Sequence, residues 1–129
     1  MLRKLRVTAI AGLIAALAVL AFAGSFCTNN EPPCHTGNVS PANGYANETI
    51  FTYTIGYALS PGQDPPDVYV HITKGGVQQG SYMMSIEHIG SIIVDYRYQT
   101  TLSLAGTDWG FWFSTVDDTT PAYAGPIVE

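Results

Sequence analysis

From Thr49 onward, large apolar side chains occupy every second position in several short stretches of the chain. In the first of these, TIFTYTIGY, the residues Phe51, Tyr53, Ile55 and Tyr57 alternate with threonine and glycine. A period of two puts successive side chains on opposite faces of a strand, so this stretch predicts a β-strand with one buried face. The same alternation predicts strands in DVYVHIT, SYMMSIEH, IIVDYRYQTTL and WGFWFST, with buried rows Val68, Val70 and Ile72; Tyr82, Met84 and Ile86; Val94, Tyr96, Tyr98, Thr100 and Leu102; and Trp109, Phe111 and Phe113.

Turn-forming residues separate these stretches. The segments SPGQDPP, KGG and LAGTD contain glycine, proline or both, which end one strand before the next begins. Strands that recur about every 8–15 residues predict an all-β, antiparallel two-sheet sandwich, because two facing sheets bury aromatic rows that a single sheet would expose. Charged residues make up 12% of the chain. This is about half the usual ~25% and favours sheets with uncharged outer faces over surface helices.

The N-terminal residues have the organisation of an export signal. The basic start MLRKLR is followed by an uncharged apolar run from Val7 to Phe26. Within this run, Ala21-Phe22-Ala23 fits a signal peptidase site. The pattern predicts a signal peptide over residues 1–23 and a mature chain that starts at Gly24.

Three alternatives remain open for this N-terminal segment. About twenty apolar residues can span a bilayer, so the segment also fits a retained membrane-anchor helix. Cys27 fits a lipoprotein signal, although Phe26 stands where such signals carry a small residue. A short leader with an apolar helix also resembles archaeal type IV pilins, although Pro32 and Pro33 end the helix at once. Each alternative predicts that the folded part is extracellular or at the cell surface.

Charge is divided unevenly along the chain. Three of the five basic residues precede the apolar run, only Lys74 and Arg97 follow it, and all ten acidic residues lie beyond Asn30. Without the first 23 residues, two basic and ten acidic side chains remain, a formal charge of −8. Because such a surface repels phosphate backbones, the composition excludes nucleic acid as a partner.

Both cysteines lie in the stretch CTNNEPPCH, which falls in a linker predicted over residues 24–36. An exported chain meets oxidising conditions, so we expect a Cys27–Cys34 disulfide. Cys27, Cys34 and His35 also resemble a c-type haem attachment site, although the usual gap between the cysteines is two residues. His71 or His88 would then be the second axial ligand. A zinc site that combines the two cysteines, His35 and a distant histidine is the remaining alternative.

The order of these stretches also carries a resemblance to a known family. NVSPANGYANETIFTYTIGYALSPGQDPPDVYVHI, SYMMSI, DYRYQTTLSLAGTDWGFWFSTVDD and AYAGPIV occur in this order within residues 37–129. Together they resemble the immunoglobulin-like, fibronectin-like β-sandwich module of exported bacterial and archaeal surface proteins. The resemblance implies an immunoglobulin-like fold and roles in spacing, adhesion and assembly, and it supplies no catalytic residues. One residue more than the family pattern stands before Phe111, which predicts a β-bulge at Trp109.

Two pairs of acidic residues are candidates for cation binding. Asp64 and Asp67 follow the first long strand, and Asp117 and Asp118 follow the last aromatic one. In a sandwich of this strand order, the two loops should lie at the same end. Clustered carboxylates bind hard cations, so these four residues are weak candidates for Ca²⁺ ligands.

Other candidate contact residues lie out of phase with the buried rows. Tyr69 and Trp112 are predicted to face outward and to stack on a sugar or a partner surface. Asn47 begins the sequon Asn47-Glu48-Thr49, a candidate glycosylation site. The sequence contains no nucleophile elbow, no histidine pair at helical spacing and no phosphate loop.

We therefore expect a non-catalytic exported surface module, structural or adhesive, that needs no cofactor. Its expected partners are other cell-surface proteins, glycans or copies of itself. The alternative is a self-assembling subunit of an extracellular filament, in which the strand-prone segment 35–48 is donated to a neighbouring copy. A c-type haem-bearing electron carrier on the same sandwich is the third alternative.

Overall fold

The computed structural model describes residues 24–129. The predicted signal peptide, like its membrane-anchor alternative, falls on residues 1–23 and lies outside the described residues. The described part of the chain forms strands, turns and loops. Between Gly24 and Glu129, no helix is long and apolar enough to cross a membrane.

Eleven strands make up the described part of the chain, and several are only two or three residues long. The longest are β4 and β8 in one sheet and β5, β6 and β9 in the other. The strand bounds are β1 Ser25–Phe26, β2 Asn38–Ser40, β3 Asn43–Gly44, β4 Phe51–Ala58, β5 Tyr69–Lys74, β6 Val77–Met83, β7 Ser85–Ile89, β8 Ile93–Thr100, β9 Trp109–Ser114, β10 Tyr123–Ala124 and β11 Ile127–Val128.

These strands form two antiparallel sheets and one small parallel pair. In the first sheet the order is β1–β4–β8–β7, and β2 joins the same edge of β4 as β1. In the second sheet the order is β10–β9–β5–β6. Strands β3 and β11 pair in parallel. The predicted all-β, antiparallel architecture is confirmed, and two sheets around one core are the arrangement of a sandwich.

The two sheets share one apolar core. Tyr53 of β4 and Phe111 of β9 meet edge to face across the sheets, with ring centroids 5.1 Å apart. Full burial of a large apolar side chain contributes about 2 kcal/mol, so these rows dominate the stability of the fold. The alternation predicted for β4, β5 and β9 is confirmed by the buried residues Phe51, Tyr53, Ile55, Tyr57, Val68, Val70, Ile72, Trp109, Phe111 and Phe113. In the row predicted for β8, Val94, Tyr96 and Leu102 are buried, whereas Tyr98 and Thr100 are only half-buried.

One predicted strand is in fact two strands in different sheets. The stretch SYMMSIEH is divided between β6, at the edge of the second sheet, and β7, at the edge of the first. The chain crosses over at Met84, which is buried and whose backbone N–H donates to Val68 O at 2.8 Å. The predicted burial of Tyr82 and Ile86 is wrong, because both lie on edge strands and are 38% and 45% exposed.

The N-terminal part of the described chain belongs to the sheets. Residues 24–36, predicted as a linker, contain β1, which pairs with the end of β4 and buries Phe26. Segment 35–48, predicted to be free for donation, contains β2 and β3, which pair with β4 and β11. Because these backbone groups already have partners in the same chain, the prediction that this segment is free is wrong.

The β-bulge predicted at Trp109 is also wrong. Strands β5 and β9 pair without interruption from Tyr69 opposite Ser114 to Lys74 opposite Trp109. The register shift lies on the other side of β5, between Ile72 and Thr73 where they meet β6. The alternation of β9 is therefore regular, and Trp112 faces away from the core.

Tyr53 carries a buried hydroxyl that has no hydrogen-bond partner among residues 24–129. Burial raises the pKa of this hydroxyl, so it stays protonated. Since an unsatisfied buried hydroxyl costs about 1–3 kcal/mol, we expect Tyr53→Phe to keep the free energy of unfolding or to raise it by about 1 kcal/mol. The matched variant Tyr96→Phe loses the hydrogen bond to Pro66 O and should lower that free energy by about 1 kcal/mol. Urea denaturation measures both, and a less stable Tyr53→Phe protein would contradict the first expectation.

Candidate functional site

Aromatic and uncharged polar side chains cover the outer face of the second sheet. Alternate residues of a strand point to opposite sides, so the residues between the buried ones on β5 and β9 stand away from the core. Strands β6 and β10 add side chains at both edges of this surface. We name it the Trp112 face; it consists of Tyr69, His71, Thr73, Gln78, Ser81, Met83, Gly110, Trp112, Ser114 and Ala124.

A stacked pair of rings stands at the centre of the Trp112 face. His71 lies opposite Trp112 in the β5–β9 register, with ring centroids 3.7 Å apart and ring planes at 14°. His71 Nδ1 is 2.6 Å from Ser81 Oγ, and Nε2 is 2.7 Å from Ser114 Oγ. Gln78 Nε2 donates in turn to Ser81 Oγ. These hydrogen bonds fix the imidazole, and the stack fixes the indole beside it.

Burial lowers the pKa of His71 below its ordinary value of 6.5. As the pH falls, the unfolded chain therefore takes up a proton on His71 before the folded protein does. The contribution of neutral His71 to the free energy of unfolding is complete above about pH 6.5 and is lost as the pH falls through the folded-state pKa. We expect the thermal midpoint of the native protein to fall more over this window than that of His71→Gln. Calorimetry from about pH 4.5 to 8 measures the difference. Parallel pH profiles for the two proteins would contradict the expectation.

The serine–histidine contacts contain a hydroxyl and a base, as in a catalytic dyad. A nucleophilic serine also needs amides directed at the developing oxyanion and a group that orients the base. Beside Ser114, however, Phe113 N donates to Thr120 Oγ1 and Thr115 N donates to Asp118 O. The other nitrogen of His71 meets a second serine where a triad has a carboxylate. Among the described residues, the contact thus has the hydroxyl and the base of a triad, while the two amides next to Ser114 in the chain are already bonded elsewhere.

Charged side chains gather on the opposite side of the sandwich, at the outer face of the first sheet. Asp95 of β8 lies 2.7 Å from His35 Nε2 and 3.7 Å from His88 Nδ1. Arg97 Nη1 lies 3.5 Å from Glu87 Oε1. The contact between His35 and Asp95 joins the N-terminal segment to β8 through side chains that are both partly accessible to solvent. The two outer faces therefore differ in their chemistry.

The predicted disulfide between Cys27 and Cys34 is confirmed, with Cα atoms 5.6 Å apart. Cys27 N donates to Gly56 O, and Gly56 N donates to His35 O. The chain thus leaves Gly56 of β4 at Cys27 and returns to it at His35. Residues 28–34 form a loop, which we call the N-terminal excursion, and the disulfide joins the two ends of this loop. With both sulfurs in the disulfide, neither is a thiol that could attach haem or a thiolate that could bind zinc.

The four carboxylates considered for calcium do lie at one end of the sandwich. Strand β5 begins opposite the end of β9, which brings the loops 59–68 and 115–122 together. Asp118 Oδ1 accepts from Thr119 N at 2.9 Å and shapes its own turn. Among residues 24–129, no three His, Cys, Asp or Glu side chains are grouped as a metal ion requires. The geometry therefore gives no support for calcium at Asp64, Asp67, Asp117 and Asp118.

Asn47 of the predicted sequon is exposed in the turn before β4. Its backbone has a φ of 61°, a left-handed conformation that asparagine tolerates better than most residues. Its Nδ2 donates to Ser103 O at 3.5 Å. Glycosylation at Asn47 stays a prediction.

Two open grooves run along the flank where β1, β2 and β10 form the sheet edges. One, of about 420 Å³, lies between Phe26 and the turn that contains Pro121. The other, of about 490 Å³, lies between β2 and the segment from β10 to β11. Tyr123 lines both grooves.

The sequence pattern identified two of the residues on the Trp112 face but not the contacts that His71 makes at its centre. Tyr69 and Trp112 were predicted to face outward, and both do. The pairing of His71 with Ser81 and Ser114 was not predicted. The sequence alternation shows that His71, Ser81 and Ser114 face outward, but their contact depends on the register of three strands.

Comparisons with known proteins give little that identifies the chain. No protein-family model matches the sequence, and no curated protein matches it. Among solved structures, the cycloalternan-forming enzyme from Listeria monocytogenes in complex with pentasaccharide substrate is similar, with a TM-score of 0.42 and 18% identity. The match covers 81% of this chain and 10% of that enzyme chain. This chain therefore spans about a tenth of the length of the solved protein.

Proposed function

We propose that this protein is a non-catalytic, exported immunoglobulin-like β-sandwich that acts at the cell surface as an adhesive or structural module. The strand order supports the immunoglobulin-like assignment. The orders β1/β2–β4–β8–β7 and β10–β9–β5–β6 correspond to the A-B-E-D and G-F-C orders of that fold, with one more edge strand. The disulfide supports export, because such bonds persist in oxidising compartments.

The contrast between the two outer faces is the observation that carries this proposal. The residues of the Trp112 face include no Asp, Glu, Lys or Arg, whereas Glu87, Asp95 and Arg97 lie on or beside the outer face of the first sheet. Contact surfaces of proteins are depleted in charged residues at their centres and enriched in tryptophan and tyrosine. The Trp112 face has this composition, which supports adhesion through it.

Two features support a non-catalytic role. Beside the pair of Ser114 and His71, the described residues place no oxyanion donor and no orienting carboxylate. The pair also lies on the open face of a sheet, whereas most catalytic sites lie in clefts. We expect a fluorophosphonate probe to leave Ser81 and Ser114 unmodified. Labelling of either serine that disappears in His71→Gln would contradict this part of the proposal.

The location of the protein tests the surface role. Antibodies raised against the folded protein should label intact cells, and mass spectrometry of the mature N-terminus should show cleavage, lipid attachment or retention. Recovery only from the cytoplasm, with Cys27 and Cys34 as free thiols, would contradict the proposal.

A filament subunit is the second candidate function, and two free sheet edges favour it. In the described part of the chain, β6 pairs only with β5 and β7 only with β8. Val77 and Met83 on β6 are 64% and 54% exposed, and Ile89 on β7 is 59% exposed. An exposed apolar edge accepts a strand from a neighbouring chain. Negative-stain imaging tests this candidate: filaments that Met83→Lys abolishes would support it, and uniform monomers at high concentration would remove it.

A further inference from the structure

We infer that the Trp112 face binds neutral glycans, with one sugar ring packed against the Trp112 indole. The inference rests on the proposed surface role and names the ligand class of the adhesive face. A pyranose ring has an apolar side of C–H groups and a rim of hydroxyls. It therefore needs a flat apolar ring with hydrogen-bonding groups around it, and the Trp112 face offers both.

The surroundings of Trp112 leave room for a ring beside the indole. His71 covers one side of the indole at 3.7 Å. Next to Trp112 on the same face, Gly110 pairs with Ala124. These two small residues form a low patch of the sheet surface, which we call the floor. A Cβ at Gly110 would lie 3.0 Å from Thr73 Oγ1 and 3.1 Å from Tyr123 O. The low floor depends on glycine at this position, since a longer side chain would fill the space.

Hydroxyl and amide groups surround the ring pair. Ser81 and Ser114 flank His71 on opposite sides, and Gln78 donates a hydrogen bond to Ser81 within β6. Thr73 lies two residues from His71 on the same face of β5. Hydroxyls both donate and accept hydrogen bonds, so they suit the mixed donors and acceptors of a sugar rim.

The charge of the molecule selects a neutral glycan over an anionic one. The Trp112 face has no lysine or arginine to pair with a uronate or a sulfate. The whole chain carries a formal charge of −5, with its basic residues concentrated before the described part. A polyanion would therefore meet repulsion without a compensating ion pair.

The face is ordered before a ligand arrives. Both nitrogens of His71 are held by serine hydroxyls, and the imidazole holds the indole by stacking. A side chain that is already fixed loses less conformational entropy on binding than a freely rotating one. Fixed rings thus favour the binding of an uncharged ligand that makes no ion pair with the protein.

NMR titration tests the inference on the processed protein, by which we mean the chain without its predicted signal peptide. The indole N–H signal of Trp112 reports on the site, and that of Trp109 serves as the control. Trp109 is buried, and its Nε1 donates to Leu104 O at 3.0 Å. The probes are cellohexaose, xylohexaose and mannohexaose, with a hexagalacturonate as the anionic comparison. We expect at least one neutral hexasaccharide to shift the Trp112 signal in a saturable way and to leave Trp109 unchanged.

Variants separate the Trp112 face from the rest of the molecule. Trp112→Ala should weaken binding at least tenfold, which corresponds to about 1.4 kcal/mol. Ala124→Gln fills the floor without removing the ring pair and should weaken binding as well, so the test survives if Trp112→Ala does not fold. The control is Gln99→Ala in β8, whose side chain bonds Thr52 in the first sheet and should leave binding unchanged.

Specific results would overturn the inference. The first is that no neutral hexasaccharide shifts the Trp112 indole signal, and the second is that the signals of both tryptophans shift equally. The third is that the anionic probe binds more strongly than the neutral ones. The fourth is that Gln99→Ala and Ala124→Gln weaken binding equally. A protein that is on the cell surface but fails this test keeps the proposed function and loses its glycan ligand. A cytoplasmic location removes the proposed function whatever the titration gives.

Discussion

Replacement of Phe111 by alanine should lower the free energy of unfolding by about 4 kcal/mol. Phe111 is 2% exposed and lies at the centre of an aromatic cluster. Its ring centroid is 5.1 Å from that of Tyr53, 5.3 Å from that of Tyr123 and 5.7 Å from that of Phe113. Hydrogen-bonded sheets on both sides limit how far the cavity can collapse, so most of the lost contact is not recovered.

Urea denaturation of the processed protein measures this loss. The control is Val116→Ala, because Val116 is 94% exposed in the turn after β9 and its truncation should change the free energy of unfolding by less than about 0.5 kcal/mol. A loss below about 1 kcal/mol for Phe111→Ala would mean that this ring does not lie between two sheets.

Removal of the disulfide in the double variant Cys27→Ala/Cys34→Ala should lower the free energy of unfolding by about 2.5 kcal/mol. The two cysteines are seven positions apart, so the bond closes a short loop in the unfolded chain and its entropic effect is at the low end for disulfides. The N-terminal excursion leaves and rejoins β4 at Gly56. Without the bond, the two ends of the N-terminal excursion are held only by these backbone hydrogen bonds.

Chemical reduction provides the matched measurement for the disulfide. Urea denaturation of the native protein with a reductant should reproduce the stability of the double variant, and the reductant should leave the double variant unchanged. Thiol labelling of freshly isolated native protein should find no free cysteine. Equal stability of the native and double-variant proteins, or two free thiols in the native protein, would contradict this expectation.

The sequence predicted the central strands well because their pattern has a direct physical cause. Strands β4, β5, β8 and β9 each bury one face, so apolar residues must recur at every second position. Edge strands lack this requirement. The alternation around Met84 therefore predicted one buried strand where the chain crosses between two edges. Strands as short as β1 and β3 contain too few residues to show a period at all.

The candidate site was predictable only in part. Tyr69 and Trp112 break the phase of the buried rows, which marks them as outward-facing. The contacts of His71 join residues from β5, β6 and β9 that are far apart in the chain. Which residues meet depends on strand order and register, and the register shift between β5 and β6 is not visible in the sequence. The disulfide, in contrast, followed from two cysteines and an expected oxidising compartment.

Aromatic NOE spectroscopy of the processed protein is the most direct test of a sandwich that keeps Trp112 outside its core. Cross-peaks between the ring protons of Tyr53 and Phe111 should be present, since these rings come from different sheets and lie 5.1 Å apart between centroids. Trp112 should show cross-peaks to His71, 3.7 Å away, and none to Tyr53. Missing Tyr53–Phe111 cross-peaks, or cross-peaks from Trp112 to Tyr53, would contradict both the fold and the site built on it.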